Sequence, residues 1–285
     1  MPPVASAPSP ARDVASPFRF TRLVDDRKER TNSLSELMGG EDLASQSWLF
    51  LSPHDDDLSI GAGLLMQAAI RAGVDVRALI VTDGCLGYCR EEHRDTIVAV
   101  RKQETYESFA VLGLPEEKVT YIGYPDGGLM PYIGRRRARE LERALCGHVG
   151  LQNAFTYYLR KFRPRRVFVP TSTDLHPDHR ITHSELMISI FHASGKIWPE
   201  LGPPLATVPQ VGELAVYCDF AETPNIEVIG NDEVFQTKLN SIAVYRSQVQ
   251  ISSLVAGLQK SGPYEYIREH DFRLFSPDNY KPLFA

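Results

Sequence analysis

The chain has 285 residues, a formal net charge of −5 and 43% apolar residues, which is an ordinary composition for a globular protein with a large core. A mildly acidic chain without a long basic run is not expected to have nucleic acid or an anionic membrane surface as its main partner. No stretch of about 18 apolar residues is present, so no membrane-spanning helix is predicted.

Residues 1–17 are rich in Pro, Ala and Ser, and they lack the basic and apolar regions of a secretory signal. We therefore predict a flexible tail over 1–17 and a single α/β domain over 18–285. The cysteines at 85, 89, 146 and 218 do not suggest a disulfide framework, so reduced thiols and a cytoplasmic location are expected. Cys85, Cys89 and His93 are four residues apart, but no fourth metal ligand accompanies them, and ordinary thiols are the favoured interpretation.

Apolar runs and helical patterns alternate along the chain. Residues 18–46 are polar and are expected to wrap the surface or form a short helix. The predicted strands cover 48–51, 76–81, 119–122, 166–169, 214–220 and 226–229. The predicted helices cover 60–72, 95–112, 135–160, 179–193, 232–245 and 252–259.

This alternation predicts an α/β fold with a mainly parallel sheet and helices on both faces. Right-handed crossovers place the carboxyl ends of the strands at one edge, where such folds bind ligands. Polar residues follow four of the strands directly, and we expect them to form a single site. They are His54, Thr82-Asp83, Tyr124 to Asp126, and Asp174 to His176.

The run His54-Asp55-Asp56-Asp57 places three carboxylates directly after an apolar strand. Burying such charge is costly unless a cation neutralises it, and imidazole with carboxylate oxygen suits a catalytic zinc. An acidic N-terminus that caps the following helix is an equally good interpretation of this run alone.

The run His176-Pro177-Asp178-His179 is also dense in metal ligands, and it too follows a strand. A capped helix start, with Pro177 in the first turn, is the alternative. Two such runs at one sheet edge favour a metal site. Because a catalytic zinc keeps a position for water, a general base must stand beside it. Asp56 and Asp57 could divide the roles of base and ligand, and their spacing does not say which is which.

Ser52-Pro53-His54-Asp55-Asp56-Asp57 resembles the Pro-His-Pro-Asp-Asp signature of the PIG-L/LmbE-like N-acetylglucosaminyl deacetylase family, and His176-Pro177-Asp178-His179 resembles its His-x-Asp-His signature. Further segments are similar to the family's pattern between about residues 48 and 248. They are Thr82-Asp83-Gly84-x-x-Gly87, Arg101-x-x-Glu104 with Leu112-Gly113, Tyr124-Pro125-Asp126-Gly127, and Lys238 with Tyr245-x-Ser247-Gln248.

The resemblance implies a Rossmann-like α/β fold and one Zn²⁺ held by His54, Asp57 and His179. It implies that Asp56 is the general base and that His176 stabilises the oxyanion. It also implies that Asp178 orients a neighbouring imidazole, and that Arg101 and Asp126 hold sugar hydroxyls.

The chain departs from the family's pattern at four positions. Asp55 replaces a proline and has no assigned role, and Leu58 replaces a glutamate. Cys85 replaces an acidic residue, and Asp174 stands where some members have tyrosine. None of these is a predicted ligand or base, so the departures bear on the substrate more than on the reaction.

Several residues also have simpler interpretations. Arg101 and Glu104 could form a surface ion pair on a helix, and Asp126 could be a turn residue. His183 is interpreted as an ordinary helix residue. Tyr264, Tyr266 and Phe272 could line a sugar-binding wall, but packing against the core is favoured.

The sequence thus predicts a zinc-dependent N-deacetylase that acts on a small N-acylated amino sugar or glycoconjugate. The alternatives are a zinc amidase for a non-sugar amide or natural-product intermediate, and a metal-stabilised binding protein without catalysis. Assembly into a homo-oligomer stays open.

Overall fold

The computed structural model of the chain describes residues 16–25, 27–270, 272 and 275–285. The tail predicted over 1–17 therefore lies, apart from its last two residues, outside the described residues. The strands are β1 (Phe18–Val24), β2 (Arg27–Thr31), β3 (Ser47–Ser52), β4 (Asp75–Thr82), β5 (Val119–Tyr124), β6 (Arg136–Arg137), β7 (His148–Val149), β8 (Arg166–Pro170), β9 (Gln210–Leu214), β10 (Ile226–Gly230) and β11 (Tyr264–His270).

The α-helices that connect and flank these strands are α1 (Leu34–Leu37), α2 (Asp57–Arg71), α3 (Ile97–Leu112), α4 (Leu151–Phe162), α5 (Pro177–Ser194), α6 (Asp232–Ala243), α7 (Ile251–Ser261) and α8 (Lys281–Phe284). Among the helices of the described ranges, none has the length and apolar composition needed to cross a lipid bilayer.

Nine strands form one sheet in the order β2-β1-β10-β11-β9-β8-β3-β4-β5. The five strands from β9 to β5 are parallel, as predicted. In β3, Trp48 and Phe50 enter one core cluster and Leu49 and Leu51 enter the other, because successive side chains point to opposite faces. Helices α2, α3 and α6 pack on the first face and α4 and α5 on the second, which confirms the prediction of helices on both faces.

The other four strands, β11, β10, β1 and β2, extend the sheet in antiparallel fashion. The prediction that residues 18–46 wrap the surface is wrong for β1 and β2. Phe18 and Phe20 alternate with polar residues and are 3% and 2% exposed, so β1 buries one face in the core. The short helix expected in this region is α1.

Two predicted elements have the boundaries that differ most from the observed ones. A helix over 135–160 was expected, but α4 begins only at Leu151. Gly150 has φ +117°, which a right-handed helix does not allow, so the helix cannot extend backwards through this position. The strand predicted over 214–220 ends at Leu214, because the chain then turns and the Tyr217 amide donates to the Asp174 carboxylate.

Candidate metal site

Three ligand atoms meet beyond the carboxyl ends of β3 and β8. His54 Nδ1 lies 3.1 Å from His179 Nε2. Asp57 Oδ2 lies 3.2 Å from His179 Nε2 and 3.5 Å from His54 Nδ1. His54 stands in the loop after β3, Asp57 is the first residue of α2, and His179 lies in the first turn of α5. Asp57 and His179 are fully buried and His54 is 7% exposed, so the fold removes all three from bulk water.

These residues fit a divalent cation. Two imidazole nitrogens and one carboxylate oxygen, all of them electron-pair donors, lie within 3.5 Å of one another, and Asp57 Oδ1 is buried without a hydrogen-bond partner. Ligand atoms at the usual zinc distances of about 2.0–2.1 Å are about 3.3 Å apart in a tetrahedral shell. The observed separations of 3.1, 3.2 and 3.5 Å match that spacing. The His54 amide also donates to Asp57 Oδ2, as ligating carboxylates commonly require.

The charges of the three ligand residues also favour a bound cation. Burial raises the pKa of Asp57, but His179 and His54 outweigh burial and hold that pKa well below its usual range. Burial lowers the pKa of both imidazoles, but neighbouring carboxylates outweigh it and raise them, with Asp126 the largest contributor at His54 and Asp57 at His179. A bound cation would take the place of the protons that these pKa values favour.

Each imidazole faces a carboxylate at its other nitrogen. Asp174 Oδ2 lies 3.2 Å from His179 Nδ1. Asp126 Oδ1 lies 3.2 Å and Asp178 Oδ2 3.5 Å from His54 Nε2. Partners of this kind fix ring orientation and tautomer in metal sites. Asp178 was predicted to orient a neighbouring imidazole, and the imidazole that lies beside it is that of His54. Asp126, expected to contact sugar hydroxyls, also faces His54, and the sequence did not identify Asp174 in this role.

Asp56 directly precedes the candidate ligand Asp57 in the chain, and its carboxylate is partly exposed, since its side chain is 14% exposed. It occupies the N-cap position of α2 but makes no capping hydrogen bond, so the helix-cap interpretation does not account for its side chain. Arg101 Nη2 lies 3.1 Å from Asp56 Oδ2 and positions this carboxylate.

Arg101 also binds Asp55, the residue without an assigned role. Arg101 Nε donates to Asp55 Oδ2 at 2.7 Å and its Nη2 donates to Oδ1. Burial raises the pKa of Asp55 to about 6 against the opposing effect of Arg101. The alternative Arg101–Glu104 surface pair is not what forms, because Glu104 accepts from the Ser247 amide and hydroxyl. The predicted contact of Arg101 with a sugar stays a prediction.

His176 is half-buried at the N-cap of α5, and its Nδ1 accepts from the Asp178 amide at 3.2 Å. With Nδ1 an acceptor, a neutral ring carries its proton on Nε2. Burial and the neighbouring imidazoles of His54 and His179 lower the pKa of His176, which favours this neutral form.

Tyr217 is a site residue that the sequence analysis missed. Its ring centroid lies 5.0 Å from that of His179 and 6.2 Å from that of His176. Burial and the charges of Asp57 and Asp56 raise the pKa of its hydroxyl well above the usual range. Its position in the turn just after a strand could have identified Tyr217 as a site residue. The strand predicted over 214–220 instead placed it inside a strand.

The remaining candidates lie elsewhere. Cys85 Sγ contacts the Asp126 carbonyl and Cys89 Sγ contacts Gln250, and neither is among the metal-binding groups found in the described residues. The packing expected for the aromatic rings near the C-terminus is wrong at Tyr264 and Tyr266, which are 46% and 45% exposed. Phe272 packs against the second core cluster.

Residues 49–190, which contain all three candidate ligands, match the protein family described as PIG-L: GlcNAc-PI de-N-acetylase. The chain is 30% identical over 136 residues to a diacetylchitobiose deacetylase from Thermococcus kodakarensis, which covers 46% of this chain and 44% of that relative. It therefore spans less than half the length of this curated relative.

The similarity to solved structures extends over more of the chain. An N,N'-diacetylchitobiose deacetylase from Pyrococcus horikoshii superposes with a TM-score of 0.63 at 23% identity, over 88% of this chain and 94% of the other. The 4-carboxy-2-hydroxymuconate hydratase GalB from Pseudomonas putida KT2440 gives 0.59 at 15% identity, over 81% and 98%. These likenesses confirm the Rossmann-like α/β fold. Because a hydratase shares it, the fold alone does not fix the reaction.

Proposed function

The chain belongs to the PIG-L family, and from this premise we propose that it is a metal-dependent hydrolase that removes the acetyl group from an N-acetylated amino sugar or glycoconjugate. The observation that carries the proposal is the convergence of His54, Asp57 and His179, next in the chain to the partly exposed carboxylate of Asp56. A purely structural metal site has no need of that additional carboxylate.

We propose zinc as the metal, held by His54, Asp57 and His179. Zinc at these residues would polarise the amide carbonyl and lower the pKa of water. The donor set of two imidazoles and one carboxylate is typical of catalytic zinc sites, which leave one position open. Carboxylates face His54 Nε2 and His179 Nδ1. They keep the other nitrogen of each imidazole directed at the position proposed for the metal.

Asp56 is assigned the proton transfers. Its carboxylate takes a proton from the attacking water, and the carboxylic acid so formed returns a proton to the leaving amine. Its contact with Arg101 Nη2 fixes one of its oxygens, so the other is free to face the substrate. A positioned base of this kind commonly contributes about 10²–10⁴-fold to a rate.

His176 is assigned to the developing oxyanion. The hydrogen bond from the Asp178 amide to Nδ1 leaves the Nε2 proton available for donation. For the sugar, Asp126 is the predicted hydroxyl partner, with a side chain that is 12% exposed at the rim of the site. Arg101 is only 4% exposed, so its proposed contact with a sugar is restricted to what its unpaired Nη1 can reach.

The test is release of acetate from N-acetylglucosamine and N,N'-diacetylchitobiose by the zinc-loaded protein. Asp56→Asn is expected to lower kcat by at least about 100-fold while bound zinc, measured by elemental analysis, is unchanged. Asp57→Asn is expected to lose the zinc of this site. Asp95→Asn, an exposed carboxylate before α3, is the matched control and should do neither.

Two results would count against the proposal. Acetate release that is indifferent to a chelator and to Asp56→Asn would refute the mechanism. Faster cleavage of N-acetylated amines that are not sugars would refute the sugar substrate and favour the amidase alternative.

A further inference from the structure

A second group of metal-ligating side chains lies one helical turn further along α5 from His179. His183 Nε2 lies 2.9 Å from Glu213 Oε1, and His270 Nε2 lies 3.8 Å from the same oxygen. The three ligand atoms all fall within 4.8 Å of one another. The group shares no residue with the site formed by His54, Asp57 and His179, so it requires an explanation of its own.

The topology of the sheet brings these residues together. Arg268 of β11 pairs with Glu213 of β9, and His270 pairs with Val211. Cross-strand partners share a face, and so do residues two apart on one strand, which places His270 diagonally across from Glu213. Val211 belongs to the core cluster that α4 and α5 cover, so this face is the one that α5 packs against. His183 on α5 therefore meets both strands.

The two carboxylate oxygens of Glu213 have different partners. Arg268 Nη1 lies 3.2 Å from Oε2, and Oε1 faces the imidazoles of His183 and His270. Arg268 also pairs with Glu222, which offsets part of its charge. A carboxylate with one oxygen held by a charged donor and the other facing two imidazoles is a common arrangement around bound metals.

We propose that His183, Glu213 and His270 form a second site, which binds a divalent transition-metal ion such as zinc. Two imidazole nitrogens and one carboxylate oxygen are a recognised zinc donor set, and the contacts of 2.9 and 3.8 Å bracket the ligand spacing of about 3.3 Å in a tetrahedral shell. The Glu213 side chain is only 3% exposed, whereas those of His183 and His270 are 12% and 26% exposed, so an ion can enter from solvent.

An ion at this site would join three elements, because the ligands come from α5, β9 and β11. It would link the antiparallel part of the sheet to α5, which has His176 at its N-cap and His179 in its first turn. We therefore assign it a structural role, in which metal binding stabilises the folded chain because the ligands do not converge in the unfolded one.

The experiment measures zinc stoichiometry and thermal stability on the full chain after reconstitution with zinc and removal of excess metal. The wild type is expected to bind two equivalents, and His183→Gln and His270→Gln one each. Excess zinc should raise the Tm of Asp57→Asn, which keeps only the second site. It should not raise the Tm of Asp57→Asn/His183→Gln. His93→Gln, which alters a histidine outside both groups, is the control and should bind two equivalents.

The outcomes separate the two sites. If wild type and His183→Gln bind the same amount of zinc, and zinc does not raise the Tm of Asp57→Asn, the second site is refuted and the three residues form only an ion-paired cluster. If instead the first site fails, the wild type binds one equivalent, His183→Gln binds none and Asp57→Asn still binds one. Two independent imidazole variants are used so that misfolding of either one does not decide the result.

Discussion

Asp174 and Asp57 hold the His179 imidazole from opposite sides. Asp174 Oδ2 lies 3.2 Å from Nδ1, and Asp57 Oδ2 lies 3.2 Å from Nε2. All three side chains are fully buried. Asp174 is itself fixed, because it accepts from the amides of His176 and Tyr217. The charge of Asp174 therefore favours the tautomer with its proton on Nδ1, which leaves the Nε2 lone pair for the candidate metal site.

Asp174→Asn is expected to weaken zinc binding at the first site by about 10–100-fold, because an amide holds the ring less firmly and can present an N–H to Nδ1. The measurement is competition for zinc with a chromophoric chelator, carried out in the His183→Gln background so that only one site is titrated. Thr173→Ser, at the neighbouring exposed position, is the control. An unchanged affinity in Asp174→Asn would show that this carboxylate does not position the ligand.

Arg101 is buried against both Asp55 and Asp56, so loss of Asp55 is expected to be costly. Asp55→Asn removes the charge of one of the two carboxylates that pair with the buried guanidinium of Arg101. Breaking a buried ion pair of this kind costs about 3–5 kcal/mol in the free energy of unfolding. Urea denaturation would measure the loss. Arg94→Met removes an exposed ion pair with Glu91 and is the control, expected to change the free energy of unfolding by less than about 1 kcal/mol.

A double variant separates stability from positioning. Asp55→Asn/Arg101→Met removes the buried charges together and should regain part of the stability lost in Asp55→Asn. It should not regain acetate release, because Asp56 then lacks the Arg101 contact that fixes its carboxylate. If stability and activity return together, Arg101 has no positioning role.

The sequence predicted four of the five parallel strands and the place of the candidate site, because both depend on local patterns. Each of β3, β4, β5 and β8 is an apolar run followed directly by polar residues, and parallel strands bring those residues to one edge. The roles of His54, Asp57 and His179 came from the family resemblance, and spacing alone left them open.

The contacts that the sequence could not predict join segments far apart in the chain. Asp55 meets Arg101 only because α3 packs beside α2, and Tyr217 reaches His179 only through the turn after β9. β11 was missed because a buried carboxylate, Glu265, occupies an inward position and obscures the alternation with Ile267. Tertiary partners make that burial tolerable, and no pattern local to β11 reveals them.

The contribution of the buried Glu265 carboxylate to the stability of the antiparallel strands can be tested by removing one of its partners. Its Oε1 accepts from Lys238 Nζ and the Leu64 amide, each at 2.7 Å, and its Oε2 accepts from the Leu65 amide at 2.9 Å. Lys238→Met leaves this buried carboxylate without its cation and is expected to cost about 3–5 kcal/mol in the free energy of unfolding. Lys260→Met on exposed α7 should cost less than about 1 kcal/mol. Equal losses in the two variants would mean that the backbone amides alone compensate Glu265.

Glu41 gives a pH-dependent prediction away from the candidate site. It accepts from Arg165 Nη2 and Arg166 Nη1, each at 2.7 Å, and so fastens the segment before β3 to the start of β8. Burial raises its pKa, but the two arginines and Gln46 outweigh burial and lower that pKa from 4.5 to about 2. Because the folded-state pKa is depressed, the stabilisation is complete above pH 4.5 and is lost as the pH falls from 4.5 towards 2.

Glu41→Gln should accordingly lower the free energy of unfolding at pH 7 by about 1–2 kcal/mol, a value reduced from the full linkage effect because solvent screens a partly exposed side chain. The difference from wild type should shrink between pH 4.5 and pH 2 as the wild-type carboxylate takes up its proton. Urea denaturation at several pH values measures both curves, with the exposed Glu117→Gln as control. A difference that stays constant down to pH 2 would mean that Glu41 stabilises the fold through its shape and not through its charge.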